Sequence, residues 1–135
     1  MSIADLHGSS KFLFWTIIII SIQYHPSLSS LYHLLVEPYR VMLGSILMGP
    51  ILELDLLHGI VLICFWPLPV AKQIYDPSWS YCGLLTNAAL QMGLQNSIAR
   101  GDSILNIQPE KEQVIRAKTW MACVQINAMW VLAHL

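Results

Sequence analysis

Prolines and charged residues divide the apolar segments of this chain into runs that are too short to cross a membrane. The first run, residues 12–22, has about half of the roughly 20 residues that a spanning helix needs, and Pro26 closes it. The second, residues 41–66, is interrupted by Gly49–Pro50 and carries two carboxylates and a histidine near its middle. Each carboxylate costs on the order of 2–3 kcal/mol at the centre of a bilayer. The pattern therefore favours helices that are buried in a protein core.

The composition contains more apolar residues than a small soluble domain buries in its own core. Of 135 residues, 56% are hydrophobic and 11% are charged, whereas soluble domains are about 45–50% apolar and roughly 25% charged. A net charge of −1 excludes a freestanding basic nucleic-acid binder, and the high apolar content excludes a disordered tail. We therefore expect the excess apolar surface to contact a membrane, a partner or the rest of a longer chain.

Helix signals dominate and no strand alternation is evident, so we predict an all-α fold, a bundle of about five to six helices. Ser9 or Ser10 can cap a first helix over residues 12–23, which is apolar nearly all round and is expected to be buried on every side. In the next helical stretch, Pro38 predicts a kink or a junction of two helices.

Three further helices are predicted, over residues 52–64, over residues 79–92 and from Pro109 onward. Asp76 is expected to cap the second of these, with Pro77 as its first helical residue. Gly93 is expected to end it in the left-handed conformation. Residues 70–75 and 95–108 are predicted to be loops. The last helix runs into Leu135 without a stop signal, which predicts a chain that continues.

The last predicted helix has an amphipathic pattern. Its apolar residues recur at steps of three and four: Val114, Ala117, Met121, Val124, Ala128, Val131 and Leu132. Glu110 and Glu112 fall in its first turn, where the helix dipole favours acids. We interpret them as a solvated turn and not as a catalytic pair of carboxylates.

The residues that carry chemistry are few and scattered. Cys64, Cys82 and Cys123 form no C-x-x-C pair, so we expect free thiols that act as small core residues in a reducing compartment. Asp55 and His58, three residues apart on a helix, can form a local pair. No zinc motif, phosphate loop or nucleophile elbow occurs. We predict that the chain is not an enzyme, with no catalytic, cofactor-binding, metal or DNA-binding residues.

Three ordered segments resemble the middle homology region of fungal binuclear zinc-cluster transcription factors. Residues 57–69 read LHGIVLICFWPLP, residues 79–95 read WSYCGLLTNAALQMGLQ, and residues 116–123 read RAKTWMAC. They resemble an apolar helix that ends in tryptophan and prolines, a helix with a small-residue run, and a basic-x-basic-x-Trp helix. Residues 12–17, FLFWTI, resemble the first helix of that region, so the resemblance extends over residues 12–135.

Three positions depart mildly from the family's pattern. Gln95 stands where the family usually has His, Gly59 where a small helix former such as Ala is usual, and Asn87 where a basic residue or His is frequent. The larger departure concerns DNA binding. The family binds DNA through six closely spaced cysteines that hold two zinc ions, and this sequence does not contain them.

The small and polar residues at the start predict a disordered N-terminus over residues 1–11. The resemblance implies that residues 12–135 are part of a larger helical regulatory domain. It implies a nuclear protein that regulates RNA polymerase II transcription. Its partners would be the remainder of the regulator or a homodimer partner, and a regulatory effector. DNA and zinc would be bound only by the zinc cluster outside this sequence. The alternative is a small helical membrane-associated protein, although membrane binding is not expected.

The resemblance also assigns roles to aromatic and basic side chains. Four tryptophans are expected to be helix-packing residues: Trp66, Trp79, Trp120 and Trp130. Arg116 and Lys118 are expected either to solvate the start of the last helix or to contact an effector or a neighbouring helix.

Overall fold

The computed structural model describes residues 10–70, 76–97 and 110–133, which form five α-helices and two short 3-10 helices with no strand among them. The α-helices are α1 (Lys11–Gln23), α2 (Ser29–Met48), α3 (Leu54–Phe65), α4 (Ser78–Gln91) and α5 (Glu110–Ala133). The 3-10 helices are Pro26–Leu28 and Leu94–Ser97. The predicted all-α fold is confirmed.

Helix α3 is the centre of the packing. It contacts α1 on one side and both α4 and α5 on the other, while α2 packs against α1. Leu57, Ile60 and Cys64 of α3 are completely buried. The apolar residues of α3 lie on more than one side of the helix, which suits an element with three helical neighbours.

Helix α1 begins as predicted, but it is buried on one face only. The backbone N–H of Leu13 donates to the Ser10 hydroxyl oxygen at 3.3 Å, so Ser10 is the N-cap. The buried residues are Phe12, Thr16, Ile19 and Ile22, at helical steps of three and four. The prediction of burial on every side was wrong, because α2 and α3 pack against the same limited arc and leave residues such as Ile17 exposed.

Helix α2 continues through Pro38 without a break. The prediction of two helices is therefore wrong, although proline removes one hydrogen bond from the helix interior. Tertiary contacts around Pro38 support the helix, since Val36, Tyr39 and Leu43 are buried against α1 and its neighbours. An exposed ion pair between Arg40 and Glu37, one turn apart, adds a local contact at 2.9 Å.

The ends of α4 use the predicted residues with a shift of one position. Pro77 is the N-cap and Ser78 the first helical residue, so the prediction of Pro77 at the first helical position was wrong by one. The Asp76 carboxylate still accepts a hydrogen bond from the Ser78 backbone N–H at 2.9 Å. Gly93 has φ +73°, which confirms the predicted left-handed ending.

Several predictions concern residues outside the described ranges. They are the predictions for the loops over residues 71–75 and 98–108, for the helix start at Pro109 and for the segment before Ser10. Within the predicted loop over residues 95–108, residues 95–97 belong to the 3-10 helix.

Candidate interaction surface

Helices α3 and α5 are joined by a histidine–threonine hydrogen bond. The Nε2 atom of His58 lies 2.8 Å from the hydroxyl oxygen of Thr119. That hydroxyl donates to the carbonyl oxygen of Ile115 at 2.8 Å, so Nε2–H of His58 is the donor in the first bond. Burial lowers the pKa of His58, and the negative charge of Asp55 opposes the shift. The predicted partner, Asp55, therefore acts through its charge, and the hydrogen-bond partner is Thr119.

Asn127 of α5 makes two hydrogen bonds to α4 and one within its own helix. Its side-chain amide donates to the Thr86 hydroxyl and, at 2.9 Å, to the Cys123 carbonyl oxygen. Its amide oxygen accepts from the Cys82 thiol at 3.2 Å. Thr86 in turn donates to the Cys82 carbonyl oxygen at 2.9 Å. The polar side-chain atoms of Asn127, Thr86 and Cys82 therefore all have hydrogen-bond partners, as the burial of polar groups requires.

The three cysteines are free and buried, as predicted. Burial, followed by the proximity of Cys82 and Cys123, raises the pKa of Cys64 to about 12. Burial and then Cys82 raise the pKa of Cys123 to about 11. These thiols therefore remain protonated at neutral pH, which suits packing and not nucleophilic chemistry.

Arg116 contacts the neighbouring helix, which was one of its two expected roles. Its Nη2 atom donates to the carbonyl oxygen of Met92 at 2.6 Å. Met92 is the C-cap of α4, where unpaired carbonyls attract cations. Lys118 is exposed and lines a shallow cleft beside His58.

The four tryptophans divide into two pairs. Trp120 and Trp130 pack against the buried core, as expected. Trp66 and Trp79 are 44% and 53% exposed. Asn87 and Gln95 were noted above as departures from the pattern of the resembled family. Asn87 is exposed on α4, and Gln95 lies in the second 3-10 helix.

The apolar stripe of α5 faces outward. Val114 is 47% exposed, Met121 62% and Leu132 71%. The face that contacts the core instead carries Thr119, Cys123 and Ile126, all buried. We call the exposed stripe the outer face of α5; its residues are Val114, Met121, Val124, Ala128, Val131 and Leu132.

Hydrogen bonding explains why the less apolar face of α5, with Thr119, Cys123 and Ile126, packs against the core. Thr119 and Asn127 reach His58 and Thr86 only from the inner side of α5. Turning the helix over would leave these groups without their buried partners, at about 1–3 kcal/mol each. The outer face consequently remains uncovered, although its spacing is that of a helix-packing seam. Val114, Ala117, Met121, Val124 and Ala128 alternate steps of three and four, as in a coiled coil.

The described residues contain neither a metal site nor a single membrane-spanning helix. In residues 10–70, 76–97 and 110–133, no group of three His, Cys, Asp or Glu is placed to hold a metal ion. Over the same ranges, no single helix combines the length and apolar composition of a membrane span. Helix α1 and the stretch Pro26–Met48 meet these criteria together but are bent by 114°.

This chain is similar to fungal proteins that are named as transcription factors. The transcriptional regulatory protein SEF1 of Candida albicans is 25% identical over 146 residues, covering 96% of this chain and 14% of that protein. The SEF1 proteins of Eremothecium gossypii and Kluyveromyces lactis are 24% and 25% identical, each match covering 96% of this chain and 12% of the relative.

The chain spans about one eighth of the length of these relatives. No protein-family model matches it, and no solved structure matches it at a significant level.

Proposed function

We propose that this chain is part of the helical regulatory domain of a fungal zinc-cluster transcription factor, which regulates RNA polymerase II transcription in the nucleus. The observation that carries the proposal is similarity over 96% of the chain to proteins named as transcription factors. The three motif segments include most of α3, most of α4 and the middle of α5, and these three helices pack on one another. DNA and zinc are bound by another part of the same protein, and this part transmits or restrains its activity.

The outer face of α5 packs, in this proposal, against a further helix of the same regulator. The relatives are about eight times longer than the chain, so they contain the sequence to supply one. The alternating steps of three and four favour an α-helix as the partner, because this repeat is the packing seam of a coiled coil.

The size of the outer face favours a helix of the same polypeptide over a separate subunit. From Val114 to Leu132 the stripe is about 27 Å long and about 10 Å wide. That footprint lies well below the roughly 800 Å² per partner that a stable dimer buries. A helix joined through the chain needs less area, because covalent linkage reduces the entropy cost of association.

The first experiment is to sequence the complete transcript that encodes residues 1–135. A reading frame that also encodes six closely spaced cysteines and a linker supports the proposal. A transcript whose only reading frame is the 135-residue chain contradicts the assignment to a larger regulator.

The second experiment separates regulation from DNA binding in the complete protein. Met121→Glu with Val124→Lys places charges on the outer face without touching the inner contacts. We expect promoter occupancy to stay within about twofold of wild type while transcript output changes several-fold, at equal protein abundance. Leu34→Glu with Val41→Lys, at two exposed apolar positions of α2, is the matched control and should change neither. Unchanged output in the α5 variant would contradict a regulatory role for this face.

The alternative, a small helical membrane-associated protein, has one observation in its favour, the bent pair of α1 and Pro26–Met48. Extraction of cell membranes with carbonate at high pH distinguishes the two. Retention of the chain in the lipid fraction after flotation favours the alternative, and recovery of the complete protein with chromatin favours the regulator.

A further inference from the structure

An apolar cavity lies between α1 and α2. Its volume is about 170 Å³, and it opens to solvent on one side. Trp15, Ile18 and Ile19 of α1 form one wall, and four residues of α2 form the other: Leu35, Pro38, Tyr39 and Met42. None of the seven is charged, and the surface they expose to the cavity is almost entirely apolar.

The one polar side-chain group of α2 in this wall is already satisfied. The Thr16 hydroxyl donates to the Phe12 carbonyl oxygen at 2.8 Å, so the Tyr39 hydroxyl, 2.8 Å from the Thr16 oxygen, donates to it. Phe12 stacks on the Tyr39 ring with 6.2 Å between centroids and 8° between planes. These contacts join α1 and α2 beside the cavity.

Water in this space gains few hydrogen bonds from the walls, because they expose little polar surface. An enclosed engineered cavity of about 150 Å³ in another protein binds benzene, which gives the scale of a ligand for a space of this volume. A ligand that fills the space between α1 and α2 gains dispersion contacts on both walls and displaces poorly bound water.

We propose that this cavity binds a small neutral apolar molecule, about the size of one substituted aromatic ring. The volume sets the upper size at roughly ten non-hydrogen atoms. Charged molecules are disfavoured because the walls offer no opposite charge and little polar surface to replace water. This inference concerns binding by the chain itself and does not depend on the proposed role in transcription.

The test uses the 135-residue chain with toluene as the probe and benzoate as the charged analogue. Toluene at about ten times its dissociation constant should raise the unfolding midpoint by roughly 3–5 °C. Benzoate at the same concentration should leave the midpoint unchanged.

Two matched substitutions locate the site. Leu35→Trp fills the cavity and should abolish the toluene shift, whereas Leu34→Trp, at the exposed neighbour, should retain it. If Leu35→Trp does not fold, Met42→Phe and its exposed control Val41→Phe carry the same comparison, with at least a fivefold loss of toluene affinity expected in the first. No shift in the wild-type chain, an equal shift with benzoate, or an undiminished shift in the filled variants overturns the proposal.

Discussion

The ring of Phe12 in α1 lies against the backbone of Gly59 in α3. A Cβ atom at residue 59 would lie 2.8 Å from Cδ1 of Phe12 and closer still to Cε1. Phe12 is buried, so its ring has little room to withdraw. The absence of a side chain at residue 59 is therefore what lets α1 and α3 approach each other here.

Gly59→Ala is expected to lower the free energy of unfolding by about 1–3 kcal/mol. The overlap with Phe12 outweighs the gain of about 1 kcal/mol that alanine brings to a helix interior. Gly83→Ala in α4 is the matched control, since a Cβ there meets nothing within 4 Å; it should raise stability by about 0.5–1 kcal/mol. Urea unfolding measures both, and a stabilised Gly59→Ala variant would refute the close approach.

Ile126 and Met121 test which face of α5 packs inward. Ile126→Ala should cost about 2–5 kcal/mol, because its side chain is completely buried. Met121→Ala should change stability by less than about 0.5 kcal/mol, since Met121 is exposed. Urea unfolding of both variants at one pH provides the measurement. The reverse order of effects would show that the apolar stripe faces the core after all.

Asn127→Leu should destabilise the chain by about 1–3 kcal/mol, because the Cys123 carbonyl and the Cys82 thiol lose their partner. Asn127→Asp should cost more at neutral pH. A carboxylate cannot donate to Thr86 or to the Cys123 carbonyl, and protonation restores one donor. Thermal unfolding between pH 4 and pH 7 distinguishes the two variants. Only Asn127→Asp should regain stability relative to wild type as the pH falls.

His58 should make stability fall on acidification. Its pKa is lowered in the folded chain, so the unfolded chain binds the proton more tightly. The destabilisation begins as the pH falls below the ordinary value of 6.5 and ends below the folded pKa. His58→Gln retains a donor toward Thr119 but does not titrate, so it should lose less stability between pH 7.5 and pH 5.5. Equal losses in urea unfolding would contradict a buried, neutral His58.

The three thiols should be protected from alkylation in the folded chain. With pKa values of about 12 and about 11 for Cys64 and Cys123, the thiolate fraction at pH 8 is very small. Iodoacetamide should label all three at least tenfold more slowly in buffer than in urea, as followed by mass spectrometry. Rapid labelling of Cys64 in buffer would show that α3 is not enclosed by α4 and α5.

Local signals predicted the ends of the helices well. The cap at Ser10 and the left-handed Gly93 depend on nearest neighbours along the chain, and such rules can be read from sequence. Continuity through Pro38 could not be read in this way, because it depends on the burial of Val36, Tyr39 and Leu43 against other helices. Tertiary contacts of that kind override a local propensity.

The apolar pattern also could not predict which face of α5 packs against the core. Both faces of α5 carry residues at steps of three and four, so periodicity alone allowed either orientation. Thr119, Cys123 and Asn127 follow the same steps, and their small polar groups match His58, Thr86 and Cys82 on the facing helices. A search for buried polar partners, and not only for apolar stripes, is the signal that distinguishes the two faces.

The bond from Arg116 to the Met92 carbonyl has an evolutionary consequence. It ties the end of α4 to the second turn of α5, and the fully buried Leu94 holds the chain just beyond Gly93. The two helices are thus positioned by contacts that lie on either side of residues 98–109. Lineages can then lengthen this connection at a closure cost of only about 0.6 kcal/mol per doubling, and selection on its length should be weak.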